Sequence, residues 1–240
     1  MAFGTDRRYM TMDQARAAEI DVGLRQYMLR VYNYMASALA LTGIVAVLVA
    51  SVPALTQAIL FSPLKWVVML APIGFVFFLS ARIDRISAST ASALFWVFAA
   101  LMGASLASVF LVFTGASIAR TFFITAAAFA GLSLYGYTTK KDLSGFASFL
   151  IMGLIGILIA GIVNIFLQSS IMQFVISAAG VLIFAGLTAY DTQRIKESYW
   201  EGANYGDVAT KTAVMGALSL YMDFINLFTF MLQFLGERRE

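Results

Sequence analysis

The sequence predicts an all-α, polytopic membrane bundle of seven transmembrane helices. Three observations carry that reading. Of the 240 residues, 61% are hydrophobic and only 12% charged, with a mean hydropathy of +0.85, whereas a soluble domain carries roughly 25% charged residues. The apolar residues gather into runs of about 20, the length that crosses a bilayer core. No polar segment is long enough to fold by itself, so one bundle is expected rather than two domains.

The elements follow in order. Residues 1–30 hold Arg7, Arg8, Asp13, Arg16, Glu19, Asp21 and Arg25 and no apolar core. They read as a cytoplasmic lead-in, partly helical from Met12, and not as a cleavable signal peptide. The membrane domain occupies 31–236, and 237–240 is a short charged tail. Within the domain the apolar segments are 31–52, 64–81, 88–114, 121–138, 145–167, 171–192 and 213–235. Pro53 and Pro63 bracket the first connection, where proline would disrupt a helix interior. Only Gln168, Ser169 and Ser170 join the fifth and sixth segments, which makes them a tight antiparallel pair. The next connection is longer and turns at Gly202, Asn204 and Gly206. Small residues inside the spans, such as Gly153, Gly156, Gly161 and Gly180, read as close helix packing.

Basic residues orient the bundle. A cytoplasmic N-terminus leaves only Lys65, Arg120, Arg238 and Arg239, of 16 Lys and Arg, on outer segments. A re-entrant last segment would bring Arg238 and Arg239 inside as well. A full span is preferred, because 213–235 is long enough to cross. The expected location is the plasma (inner) membrane.

Composition also excludes chemistry. With no Cys and no His, disulfides, thiolate nucleophiles and the usual zinc sites are ruled out, and a pH response near neutrality has to use carboxylates. The excess positive charge is topological, so no nucleic-acid partner is expected; the bilayer itself is the first partner. No cofactor is implied.

Asp191 and Asp223 carry the functional argument. Asp191 ends the apolar run QFVISAAGVLIFAGLTAYD, and Asp223 lies within AVMGALSLYMDFINLFTFMLQFL. A carboxylate at membrane depth costs about 2.5–3.5 kcal/mol on insertion scales and is kept mainly where it is used. On the last segment Thr212, Gly216, Ser219, Asp223, Asn226 and Gln233 share a face by their helical spacing, and on the sixth Gln173, Ser177, Gly180, Thr188 and Asp191 do so. Such seams should face each other or a wet cavity, since lipid offers no partners. Ser177, Thr188, Ser219, Asn226 and Gln233 are therefore candidate pore-lining residues, with interhelical hydrogen bonding as the alternative role. Counting back from a turn at 202–207 leaves the two carboxylates at different depths, roughly 15 and 24 Å along their helices, so contact requires tilt or a frayed helix start. If they meet, they titrate as a coupled pair, and a shared proton or a Ca²⁺ ion held by Asp191 and Asp223 would relieve their repulsion. Arg82 and Arg85, at the inner end of the second span, are topogenic charges or a latch on ionised Asp191.

Three strings, GLSLYGYTTKKDLS (131–144), AYDTQRIK (189–196) and ALSLYMDFINLF (217–228), resemble the signature segments of the transmembrane Bax-inhibitor-motif family, bacterial type. The resemblance covers nearly the whole chain. It implies two groups of three helices around a central last helix. It further implies a pH-sensitive calcium leak channel governed by a di-aspartyl sensor, onto which Asp191 and Asp223 map. The family's latch arginine corresponds to Arg85 or Arg82.

Two other functions compete. An intramembrane aspartyl protease also pairs two Asp residues on adjacent helices, but carries GxGD at the second, where this chain has LYMD at 220–223; no enzymatic activity is expected. A non-conducting interaction protein, restraining a membrane protease complex or acting in a cell-death or stress response as some relatives do, needs no ion pathway and other membrane proteins as partners. A retinal photoreceptor is set aside, because the last segment has no central lysine.

Overall fold

A computed structural model describes residues 12–199 and 206–239, with side chains from Val22 onward. Residues 1–11 of the lead-in, Gly202 and Asn204 of the expected turn, and Glu240 lie outside the described residues. Nine α-helices are described: α1 Met12–Ser51, α2 Pro53–Leu60, α3 Leu64–Arg82 extended by a 3₁₀ turn Ile83–Arg85, α4 Ala88–Leu106, α5 Val109–Val112, α6 Gly115–Thr138, α7 Ser144–Leu167, α8 Ser170–Glu197 and α9 Asp207–Leu235. Seven stretches are long and apolar enough to cross a membrane: Val22–Ser51, Leu64–Arg85, Ala88–Val112, Gly115–Thr138, Ser144–Leu167, Ser170–Glu197 and Asp207–Leu235.

Local chemistry sets the ends. Ser87, Thr114 and Ser169 each accept a hydrogen bond from a backbone N–H of the following first turn, capping α4, α6 and α8. Pro53 opens α2 at a position where its missing N–H costs nothing. The α7–α8 turn is closed by Gln168 at φ 50°, whose N–H bonds the Asn164 carbonyl, while the Asn164 side chain accepts from Ser169 N–H at 3.0 Å.

Five features differ from the sequence reading. Helix α1 runs unbroken through residue 30, so the lead-in and the first span form one rod. The first connection contains a short helix, α2. The third segment breaks at Ala107 and Ser108, where Phe110 N–H turns back to the Ala107 carbonyl. Helices α6 and α9 begin six residues earlier than the apolar runs, at Gly115 and Asp207, because Arg120 and Lys211 are carried inside helices.

Helix α9 is the axis of the bundle. Of its most apolar window 61% is buried, against 17–39% in the other spans, and it packs on α1, α4, α6 and α8. Beyond it α4 packs on α1 and α3, while α8 packs on α6 and α7. Small residues Ala213, Gly216 and Ala217 admit these neighbours. Of the α9 aromatic residues expected inside, Phe224 and Phe228 are buried, Phe230 stacks on Phe184, and Phe234 is exposed beside Phe174.

At its centre Tyr221 is fully enclosed against Phe95 and Phe98. Its hydroxyl is 2.7 Å from Thr42 Oγ1, which donates to the Ala99 carbonyl at 2.9 Å. This network ties α9 to α1 and α4. Thr42→Val strands a buried hydroxyl and is expected to lower unfolding stability in detergent by about 1–3 kcal/mol. An unchanged midpoint would show the network to be dispensable.

The C-terminal tail closes the far end. Phe113 and Arg238 form a single antiparallel bridge, with Thr114 N–H on the Glu237 carbonyl and Arg239 N–H on the Val112 carbonyl. Glu237 pairs with Arg120 at 2.9 Å and its N–H bonds Ser117 Oγ. The tail therefore sits with the 107–114 connection, opposite the start of α9. The last helix crosses the bundle completely, and the re-entrant alternative is excluded.

Candidate functional site

The two acids lie on the best-packed pair of helices, α8 and α9. Asp223 is buried at 5% exposure, and its Oδ2 has no hydrogen-bond partner among the described residues. Asp191, one helix away, keeps 15% of its side chain exposed. Arg194 Nε lies 3.9 Å from Asp191 Oδ1, one turn along α8, with its guanidinium over the Tyr190 ring. No hydrogen bond joins the two carboxyl groups. The arginines expected from the second span do not reach the acids in this conformation: Arg82 and Arg85 are exposed, and neither pairs with an acid among the described residues. Helix α3 docks on α4, whereas α8 docks on α6, α7 and α9.

A polar frame fixes α8 around Asp191. Thr192 Oγ1 lies 2.9 Å from Ser133 Oγ, which lies 2.9 Å from the Tyr32 hydroxyl, linking α8, α6 and α1. Gln193 donates to the Lys141 carbonyl and accepts from Leu143 N–H, both at 2.8 Å, and Lys196 Nζ donates to the Tyr137 carbonyl at 2.8 Å. Gly136 lets α6 press its backbone against Ala189. Asp142 belongs to this end but not to the pair: bonds from the Ser144 hydroxyl and N–H hold its carboxyl below the usual carboxylate range. It therefore stays ionised through neutrality.

Comparison with known proteins fits this geometry. The family model described as "Inhibitor of apoptosis-promoting Bax1" matches residues 24–240. The chain belongs to that Bax inhibitor family. Among its relatives, an uncharacterized protein of Caulobacter vibrioides is 49% identical over 92% of each chain. An uncharacterized protein of Rickettsia prowazekii is 47% identical over 92% of this chain and 93% of its own. The inner membrane protein YbhL of Escherichia coli is 44% identical over 90% of this chain and 94% of its own.

The family strings are the walls of this site. The segment 131–144 supplies Ser133, Gly136 and the loop held by Gln193; 189–196 supplies Asp191, Thr192 and Arg194; 217–228 supplies Tyr221 and Asp223. Sequence reading missed Arg194, although its three-residue spacing from Asp191 places both on one helix face.

Toward the far end, the candidate pore residues divide. Thr188 is buried and donates to the Phe184 carbonyl, and Asn226 donates to the Met222 carbonyl, so both satisfy themselves on their own helices. Ser219 is half-buried. Ser177 and Gln233 do meet: Gln173 Nε2 donates to Gln233 Oε1 at 2.7 Å, Ser177 Oγ lies 3.3 Å from the same oxygen, and Asn164 Nδ2 donates to Gln173 Oε1 at 3.2 Å. This cluster joins α7, α8 and α9. A double-mutant cycle of Gln173→Leu and Gln233→Leu should give a coupling of about 0.6 kcal/mol, the average for interhelical bonds in membranes. Additive losses would show that the bond does not fasten the helices.

Among the described residues no group of three acidic, His or Cys side chains could cage a metal. Asp191 and Asp223 could contribute two oxygen ligands to Ca²⁺, with carbonyls and water completing the shell.

Proposed function

We propose that this protein is a pH-sensitive calcium leak channel of the inner membrane, with Asp191 and Asp223 as its sensor and an arginine as their counter-charge. The observation that carries the reading is the enclosed Asp223 carboxylate, one oxygen unpaired among the described residues, on the helix packed against the one that bears Asp191 and Arg194. A buried charge without partners is costly, and either a proton or a cation relieves it. Hard divalent cations take such oxygen ligands. The name of the Escherichia coli relative supports the inner membrane, and the excess of basic residues at the Arg194 end supports a cytoplasmic N-terminus.

The sign follows from charge. Ionised Asp191 holds its arginine by a charge-assisted bond; protonated, it keeps only a weaker neutral one. Acidification therefore loosens the closed state. Calcium entry into dye-loaded proteoliposomes of the purified protein tests this across about pH 5 to 8. Flux above that of empty vesicles, rising as pH falls, is expected; flux equal to empty vesicles throughout would end the channel reading.

A further inference from the structure

Helices α1 and α6 both lean on α9 but leave a trough between them. Two cavities line it, of about 520 and 720 Å³, and they share Met35, Ala36 and Phe129. The Tyr32–Ser133 hydrogen bond spans the trough at 2.9 Å. We propose that the 520 Å³ half binds one acyl chain of an anionic phospholipid from the adjacent leaflet, with the headgroup at Arg25.

Length and charge select that occupant. From Arg25 to Ala36 is 11 residues of α1, about 16 Å at 1.5 Å per residue. That is half of a hydrocarbon core of about 30 Å, the depth one leaflet's chain reaches. The rim is apolar and open sideways, with Leu29 51% and Leu134 63% exposed. The hydroxyls within it, Tyr32 and Ser133, are bonded to each other. Charge enters only at the mouth. Arg25 has no acidic partner among the described residues, and Lys196 Nζ lies 5.3 Å from the centre of the Tyr137 ring that lines the same end. A ligand with an apolar tail of one-leaflet length and a negative head matches this arrangement.

The proposal does not rest on calcium conduction, and its readout is independent of flux. Native mass spectrometry of the purified protein, with phosphatidylglycerol and phosphatidylcholine of identical chains in competition, measures retained lipid. Wild type is expected to keep one phosphatidylglycerol, preferred about fivefold, the worth of roughly one cation near a headgroup. Arg25→Gln should bring the preference close to parity. Ala36→Phe with Ala130→Phe, both exposed positions, should fill the trough and abolish the adduct. Excess inorganic phosphate should leave the adduct in place. Equal retention of both lipids by wild type, displacement by phosphate, or an unchanged adduct in the filled variant would each overturn the proposal.

Discussion

Proteoliposomes of Asp191→Asn are expected to pass calcium at every pH from about 5 to 8, at the rate wild type reaches only in acid. Asparagine imitates the protonated acid in shape and, like it, carries no charge, so the bond to arginine drops to the neutral, weaker kind. Closure then has nothing left to titrate. Asp223→Asn acts differently, because it removes a like charge beside Asp191; it should keep a pH-dependent flux and move the transition to more acidic pH. Single replacement of Arg194, Arg82 and Arg85 by alanine identifies the partner, since only the true latch copies Asp191→Asn. Arg194 is the arginine near Asp191 in this conformation, at 3.9 Å along the same helix. Retention of the wild-type pH profile by Asp191→Asn would refute the sensor whatever the fold.

The second large effect is on stability. Gly136→Leu is expected to lower the unfolding midpoint of the purified protein by the equivalent of about 3 kcal/mol, the upper end for overpacking. A Cβ at this position falls onto the Ala189 carbonyl, with the carbonyl carbon and Cα at 3.0 and 3.1 Å. Backbone, unlike the end of a side chain, cannot swing away, so α6 and α8 must separate. They would separate at the residues flanking Asp191. Gly131→Leu is the control: it lies on the same helix with nothing within 4 Å of a Cβ, and surface changes of this kind stay within about 0.5 kcal/mol. Equal midpoints for the two variants would show that the close approach is not required.

The seven spans, their all-helical character and the family were legible in the sequence, because lipid imposes a length and a polarity on every crossing segment. Asp191 and Asp223 stood out for the same reason: a carboxylate in an apolar run is conspicuous. Helix starts were less legible. Arg120 reads as the end of a loop until Glu237, from the opposite end of the chain, is found beside it.

Depth and rotation were decided only by the tertiary structure. Helix lengths left Asp191 and Asp223 at different heights, and no local rule says how far α9 slides along α8. The answer depends on Gly136 against Ala189, Gly180 against the Phe230 ring and Tyr221 against Thr42, contacts between residues far apart in the chain. The same holds for the cation beside the sensor. Two basic clusters were equally available by composition, and α3 docks on α4 while Arg194 rides on α8 itself. A single sequence records which residues are costly in a membrane; which of them face one another is a property of packing, where many weak, non-local contacts sum to one arrangement.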